Sequence, residues 1–293
     1  MTKYIDLFVE SFLDYGRYIA NEVITFHWTN YFYWLIGISL AFLLLEILMP
    51  WRRGQKAFRR DFWLDAFYMF FNFFLFSLVG YYAISSVFVE AFNDFLTHTF
   101  GLKNLIALHI EQWTVFAQLL TLFVLRDFIH WNVHRLLHRV PFLWEFHKVH
   151  HSVKEMGFAS HLRFHWMETV VYRTIEYIPL GMIGFGIQEF FLVHIIAIGI
   201  GHFNHSNIRI PLGPLKYVLN NPQMHAVHHA KVIPVPHQYG VNYGISLSLW
   251  DYLFKTAYTQ KNAEEVQLGF EGDEEFPKSF WGQAIYGLQR KGK

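Results

Sequence analysis

The chain has 293 residues, 53% of them hydrophobic, 20% aromatic and only 16% charged, against about 25% charged in ordinary soluble domains, a balance that points to a membrane protein. A net charge of +1 provides no field of the kind nucleic acid or an acidic partner protein calls for. The absence of cysteine excludes disulfides, thiolate nucleophiles, Cys-held iron–sulfur clusters and a haem-thiolate site, so any metal must sit on nitrogen and oxygen.

The first residues, Met1 to His27, carry acids early and lack a basic start, an apolar core and a small-residue cleavage site, so no removable signal peptide is expected. Tyr4, Phe8, Phe12, Tyr15 and Ile19 recur at helical spacing among acids, which predicts a helix lying along a membrane interface rather than crossing it. Tyr31 to Pro50 and Ala66 to Val89 each have the roughly 20 apolar residues that a membrane-spanning helix needs. The loop between them, Trp51 to Arg60, is dense in Arg and Lys, and the positive-inside rule assigns it to the cytoplasm.

A third span is expected from Trp113 to Ile129, and the apolar block Val170 to Gly201, broken by Pro179, Gly181, Gly184 and Gly186, reads as a hairpin that enters and returns. Counting spans then places the basic loop and both histidine clusters on one face. Beyond Ser206 the chain turns polar and Gly/Pro-rich, with a charged tail after Tyr258 and no repeat or linker that would separate a second unit. The expectation is one domain over residues 1–293: an all-α integral-membrane helical bundle with a histidine-rich dimetal site on its cytoplasmic side.

Eighteen histidines are many for this length, and their spacing is regular. His134 and His138 are four apart, which puts both rings on one face of a helix, and His130 continues the row. His147, His150 and His151 stand at i, i+3 and i+4, and His225, His228 and His229 repeat that spacing; His202 and His205 add a further pair. One first-row metal takes four to about six ligands, so eight to ten imidazoles imply two metals. Rings packed this closely must stay neutral or bind a cation. Carboxylates are expected to orient them through their second nitrogens: Asp127, seven residues before His134, is the first candidate, with Glu168 and Asp251 following.

Imidazole suits zinc, copper, nickel and iron alike. A dimetal site just beneath a bilayer fits oxidation of a lipid by O2, with electrons supplied from outside, since the chain has neither cysteine nor a GxGxxG fingerprint for a flavin domain. Five motifs, DFIHWNVHRLLH from Asp127 to His138, LWEFHKVHHS from Leu143 to Ser152, HFNHSN from His202, HAVHH from His225, and Asn242-Tyr243-Gly244 followed by Trp250-Asp251, resemble the fatty acid hydroxylase superfamily, which includes sterol desaturases, sterol methyl oxidases and alkylglycerol monooxygenase. The resemblance covers Arg126 to Tyr258. It implies that His134, His138, His147, His150, His151, His225, His228 and His229 bind a non-haem di-iron centre, completed by one of His202 or His205. Where the family usually has an aromatic residue this chain has His130, which is therefore set aside as a ligand. Trp166 replaces a family proline beside His161 and His165, which gives those two supporting or structural roles.

The implied protein is a lipid hydroxylase using two iron ions and O2, served by a ferredoxin or a b-type cytochrome with its reductase, in a bacterial inner membrane or the endoplasmic reticulum with its active site facing the cytoplasm. A sterol or acyl desaturase is the alternative within the same chemistry. A histidine-rich metal transporter or a metal-binding scaffold protein is the alternative of another class; transport needs ligands inside the spans, whereas here the clusters stand at span ends and only His194 lies well within one.

Overall fold

A computed structural model describes residues 2–28, 30–72, 83–101, 110–183, 185, 187–232 and 237–289. Among these residues there is no strand beyond three isolated bridges, and the architecture is all-helical. The main helices are α1 (Thr2–Ile24), α2 (Tyr31–Leu48), α3 (Phe62–Phe70), α4 (Ala83–Phe100), α5 (Val115–Arg139), α6 (Pro141–His151), α7 (Trp166–Ile183), α8 (Ile187–His205), α9 (Pro222–His228), α10 (Leu249–Leu253) and α11 (Phe280–Ala284).

The expected spans correspond to helices unevenly. α2 matches the first, opened by Asn30, whose side chain accepts from the Phe32 and Tyr33 amides and so satisfies donors that a helix start leaves free. It is the one helix among the described residues that is long and apolar enough to cross a membrane. The middle of the second expected span, residues 73–82, lies outside the described residues. The third expected span is the first part of α5, which continues without a break through His134 and His138. The apolar hairpin is the pair α7 and α8, with Pro179 inside α7. The N-terminal segment is a 23-residue helix packed on α4, with Lys3 paired to Glu90 and Asp94.

α5 packs against α6, α7 and α8, and one end of this group is sealed by Leu122, Leu180, Phe185 and Val193. Burying such side chains contributes on the order of 2 kcal/mol each. The other end carries the histidines. The basic loop lies at that end too: the Trp51 amide donates to the Asn207 carbonyl at 2.8 Å, Gln55 Nε2 to the Met156 carbonyl at 2.7 Å, and Arg59 Nε to the Glu155 carbonyl. Glu46, at the end of α2, accepts from the amides of Phe158 and Asn207 at 2.7 and 2.8 Å, tying together the segments that follow α6 and α8.

Beneath the basic loop, Asp65 is fully buried between two guanidiniums, those of Arg59 and Arg163, the latter at 3.1 Å. Removing the shared carboxylate strands two buried cations, an error that typically costs about 3–5 kcal/mol. Asp65→Ala is therefore expected to destabilise the protein by about that amount in chemical unfolding. Asp61→Ala, which removes only a 3.3 Å contact from a third-exposed side chain, should cost far less.

Candidate metal centre

Local structure sets up each histidine row. Pro141 stands at the first position of α6, and Asn221 caps α9, its side chain accepting from the Met224 amide, with Pro222 at the first helical position. The helices bring nine imidazoles into two sets. In the first, one ring nitrogen each of His134, His138, His147, His151 and His228 lies within 4.8 Å of all the others; in the second the same holds for His150, His205, His225 and His229.

Each i, i+3, i+4 box serves both sets. His147 and His151, stacked one turn apart, join the first set while His150 crosses to the second; His225 and His229 join the second while His228 crosses to the first. The two sets interlock, with the His151 and His229 ring centroids 4.3 Å apart.

Hydrogen bonds fix the direction in which the rings present their lone pairs. Nδ1 of His134 donates to the Tyr243 carbonyl at 2.8 Å, that of His228 to Val241 at 2.7 Å, that of His205 to Gly201 at 2.9 Å and that of His150 to Arg163 at 3.3 Å. Nδ1 of His147 meets Glu168 at 2.6 Å. With Nδ1 carrying the proton, Nε2 is a bare acceptor. Yet Nε2 of His134 faces Nε2 of His147 at 3.1 Å, and Nε2 of His205 faces those of His225 and His150 at 3.0 and 3.3 Å. In addition, Nε2 of His138, His151 and His228 and Nδ1 of His225 and His229 are buried without a protein partner.

Burial lowers the pKa of every ring in both sets, with repulsion from neighbouring rings adding to it in most of them; His134 falls to about 4. Neutral rings aiming lone pairs at one another repel unless a cation stands between them. The donor set therefore fits metal ions, one per set.

The carboxylates divide. Glu168 touches a ring directly. Burial raises its carboxyl well above the usual range, and a cation among the rings would act in the opposite sense, favouring the carboxylate. Asp127 lies seven residues from His134, roughly 10 Å along the helix axis, too far to reach the ring; it accepts from the amides of Ser246 and Leu247 and from the Trp250 indole. Asp251 accepts from the Tyr243 and Gly244 amides at 2.9 and 2.7 Å, and also from Trp131 and Thr256. Both acids thus hold the segment whose carbonyls orient His134 and His228, and neither meets an imidazole.

Of the His202 and His205 pair, only His205 enters a set. His202 spends both nitrogens elsewhere, Nε2 on Ser39 and Nδ1 on His161, each at 3.0 Å. His130 meets Glu176 at 2.9 Å, and His165 donates to the Ala284 carbonyl at 2.8 Å; both stand outside the sets.

Of three further supporting residues, Asn242 and Gly244 fall in a motif noted above without an assigned role, and Gly201 gave no signal of one. Asn242 adopts left-handed φ of 54°, which Asn tolerates better than most residues, and its buried amide clamps the Met224 carbonyl of α9 to Tyr258. Gly201 lies so close to His161 that a methyl group there would overlap the ring, while its carbonyl holds His205. A side chain on Gly244 would press into the Leu247 carbonyl and the Asp251 carboxylate.

Residues 119–256, which contain all nine rings, match the fatty acid hydroxylase family. This region, just under half of the chain, is similar to the fatty acid hydroxylase superfamily. Over 183 residues it is 30% identical to the ornithine lipid hydroxylase OlsE of Rhizobium tropici, covering 62% of this chain and 54% of that protein. It is 30% identical over 156 residues to the alkylglycerol monooxygenase of Homo sapiens (50% and 31%) and 26% identical over 151 residues to a very-long-chain aldehyde decarbonylase of Oryza sativa subsp. indica (48% and 22%). The match thus spans about half the length of these curated relatives or less. No solved structure matches the chain.

Within this matched region the Glu168 contact yields a direct expectation. Glu168→Gln keeps the shape but removes the charge behind His147, and loss of such a partner typically costs 10–100-fold in metal affinity. Competition with a chelator should show a loss of about that size. Gly201→Ala should lose metal from the His205 set while keeping the other.

Proposed function

We propose that the chain is a membrane-bound, O2-dependent di-iron oxygenase that hydroxylates a C–H bond of a lipid, taking electrons from an external ferredoxin or b-type cytochrome. The observation that carries this reading is the pair of interlocked imidazole sets inside a fatty acid hydroxylase domain. An all-nitrogen neutral donor set leaves the ions strongly cationic, and the relatives named above are a lipid hydroxylase and an alkylglycerol monooxygenase, which favours hydroxylation over desaturation. The buried position of both sets speaks against a transport path.

His134, His138, His147, His151 and His228 would hold one iron, and His150, His205, His225 and His229 the other. When bound, the pair supplies the redox chemistry that activates O2 and attacks an unactivated carbon. The protein's part is positioning. The carbonyls of Tyr243, Val241, Arg163 and Gly201 fix ring rotation and tautomer, Glu168 orients His147, and the half-buried Trp144 and Phe164 pack against the rings and limit the access of water.

Membrane insertion is supported by α2, whose Leu40, Leu44, Ile47 and Leu48 face outward, and by Val115, Phe116 and Leu120 on the outer side of α5. The basic loop and the metal centre share one end of the molecule, which under the positive-inside rule is the cytoplasmic one. With neither cysteine nor a nucleotide-binding fingerprint in the chain, reducing equivalents come from a separate protein.

His228→Ala and His150→Ala remove one ligand from each set in turn. Each variant is expected to lose turnover and to fall from two bound iron ions per chain toward one, read by elemental analysis of purified protein and by lipid profiles of a host expressing it. Wild-type activity in either variant would overturn the proposal.

A further inference from the structure

One surface at the end of the molecule that carries the metal centre has no role in holding it. After the buried Ile208 the chain leaves several apolar side chains outward: Ile210, Leu215, Tyr217 and Val218 are exposed, Leu215 at 57%. Leu253 and Phe254 at the end of α10 are exposed beside them, Leu253 at 61%. The two segments are joined, since the Tyr217 and Tyr252 rings meet edge-on at 4.9 Å and Ser248 Oγ donates to the Lys216 carbonyl at 2.7 Å. Clustered exposed side chains of this size mark an interaction surface.

The charges on this surface have one sign. Arg209, Lys216 and Lys255 are exposed, and residues 206–218 and 252–258 contain no acid. The acid adjoining the second segment, Asp251, is buried with its oxygens committed to four donors.

The surface begins where the helices read as spans end. Ile208 bridges to Pro50, just past α2, and Leu48 and Met49 there are exposed, so the apolar exterior of α2 runs on toward Ile210. On the other side Phe254 packs against Trp131 and Phe128 of α5, with centroids 4.8 and 6.2 Å apart. Apolar and aromatic side chains ringed by cations suit the boundary between acyl chains and anionic headgroups.

We propose that residues 209–218 and 252–255 form a lipid-facing platform that seats on an anionic bilayer surface beside the metal centre, an inference that rests on the membrane reading above. The platform is one unit with the site. Leu219 bridges to Leu247, the Asn220 side chain donates to the Gly244 carbonyl, and Asn221 caps the helix that carries His225 and His228. Lipid held there contacts the same segments that orient the rings.

The cysteine-free chain permits a clean test. Single cysteines replacing Leu215, Leu253, Leu44 and Lys261 are labelled with a fluorophore, and the full chain is reconstituted into nanodiscs containing nitroxide-bearing phosphatidylcholine, with and without phosphatidylglycerol. Labels at Leu215 and Leu253 are expected to lose most of their emission and to resist iodide, while the exposed Lys261 position does the reverse. The combined R209E, K216E and K255E changes are expected to restore emission at Leu215 in the anionic discs. Platform labels quenched no more than Lys261, while the outward Leu44 of α2 is quenched, would overturn the platform and leave the membrane reading standing. If Leu44 is unquenched as well, the membrane reading itself fails. Platform labels shielded only after addition of a soluble acidic redox protein would assign the surface to that partner and overturn the proposal.

Discussion

Nine uncharged imidazoles turning bare nitrogens toward one another in a buried volume is the constraint on which the structure depends. Such a set is costly on its own, because burial disfavours protonation and facing lone pairs repel. Cations would satisfy it, and the surrounding hydrogen bonds fix the direction of five of the rings.

The means are mostly backbone. Carbonyls at Tyr243, Val241, Arg163 and Gly201 take the Nδ1 protons of four rings, and buried acids anchor the segment around Tyr243 and the side chain of Arg163. Asp251 gathers the Tyr243 and Gly244 amides, Asp127 those of Ser246 and Leu247. Arg163, whose carbonyl meets His150, is anchored through its guanidinium to Asp65. Among the described residues, Glu168 is the one acid that meets a ring of the two sets directly. The ring directions therefore rest largely on segments outside the histidine boxes, and a substitution well away from any histidine can misdirect one.

How much of this was legible beforehand follows from what spacing encodes. Helical spacing identified the boxes, and the family resemblance added the eight principal histidines, all of which the structure brings into the two sets. Spacing did not reveal that the i+3 member of each box crosses to the other set, since all three residues share a broad face and only the position of a second helix decides which neighbour each meets. The choice between His202 and His205 depends on Ser39 and His161, contacts that exist only after α2 and α8 pack. Asp127 was placed correctly on the face of His134, but equal angle is not equal height, and its axial offset hands it to the segment 246–250. The carbonyl acceptors have no side-chain signature at all. The all-helical class was legible from hydropathy; among the described residues, the length and apolarity of a span survive in α2 alone.

Element-resolved diffraction from the purified protein at the iron absorption edge tests the central claim most directly. The account predicts two anomalous peaks per chain, one enclosed by His134, His138, His147, His151 and His228 and the other by His150, His205, His225 and His229. A single peak, or ions lying outside these rings, would contradict it.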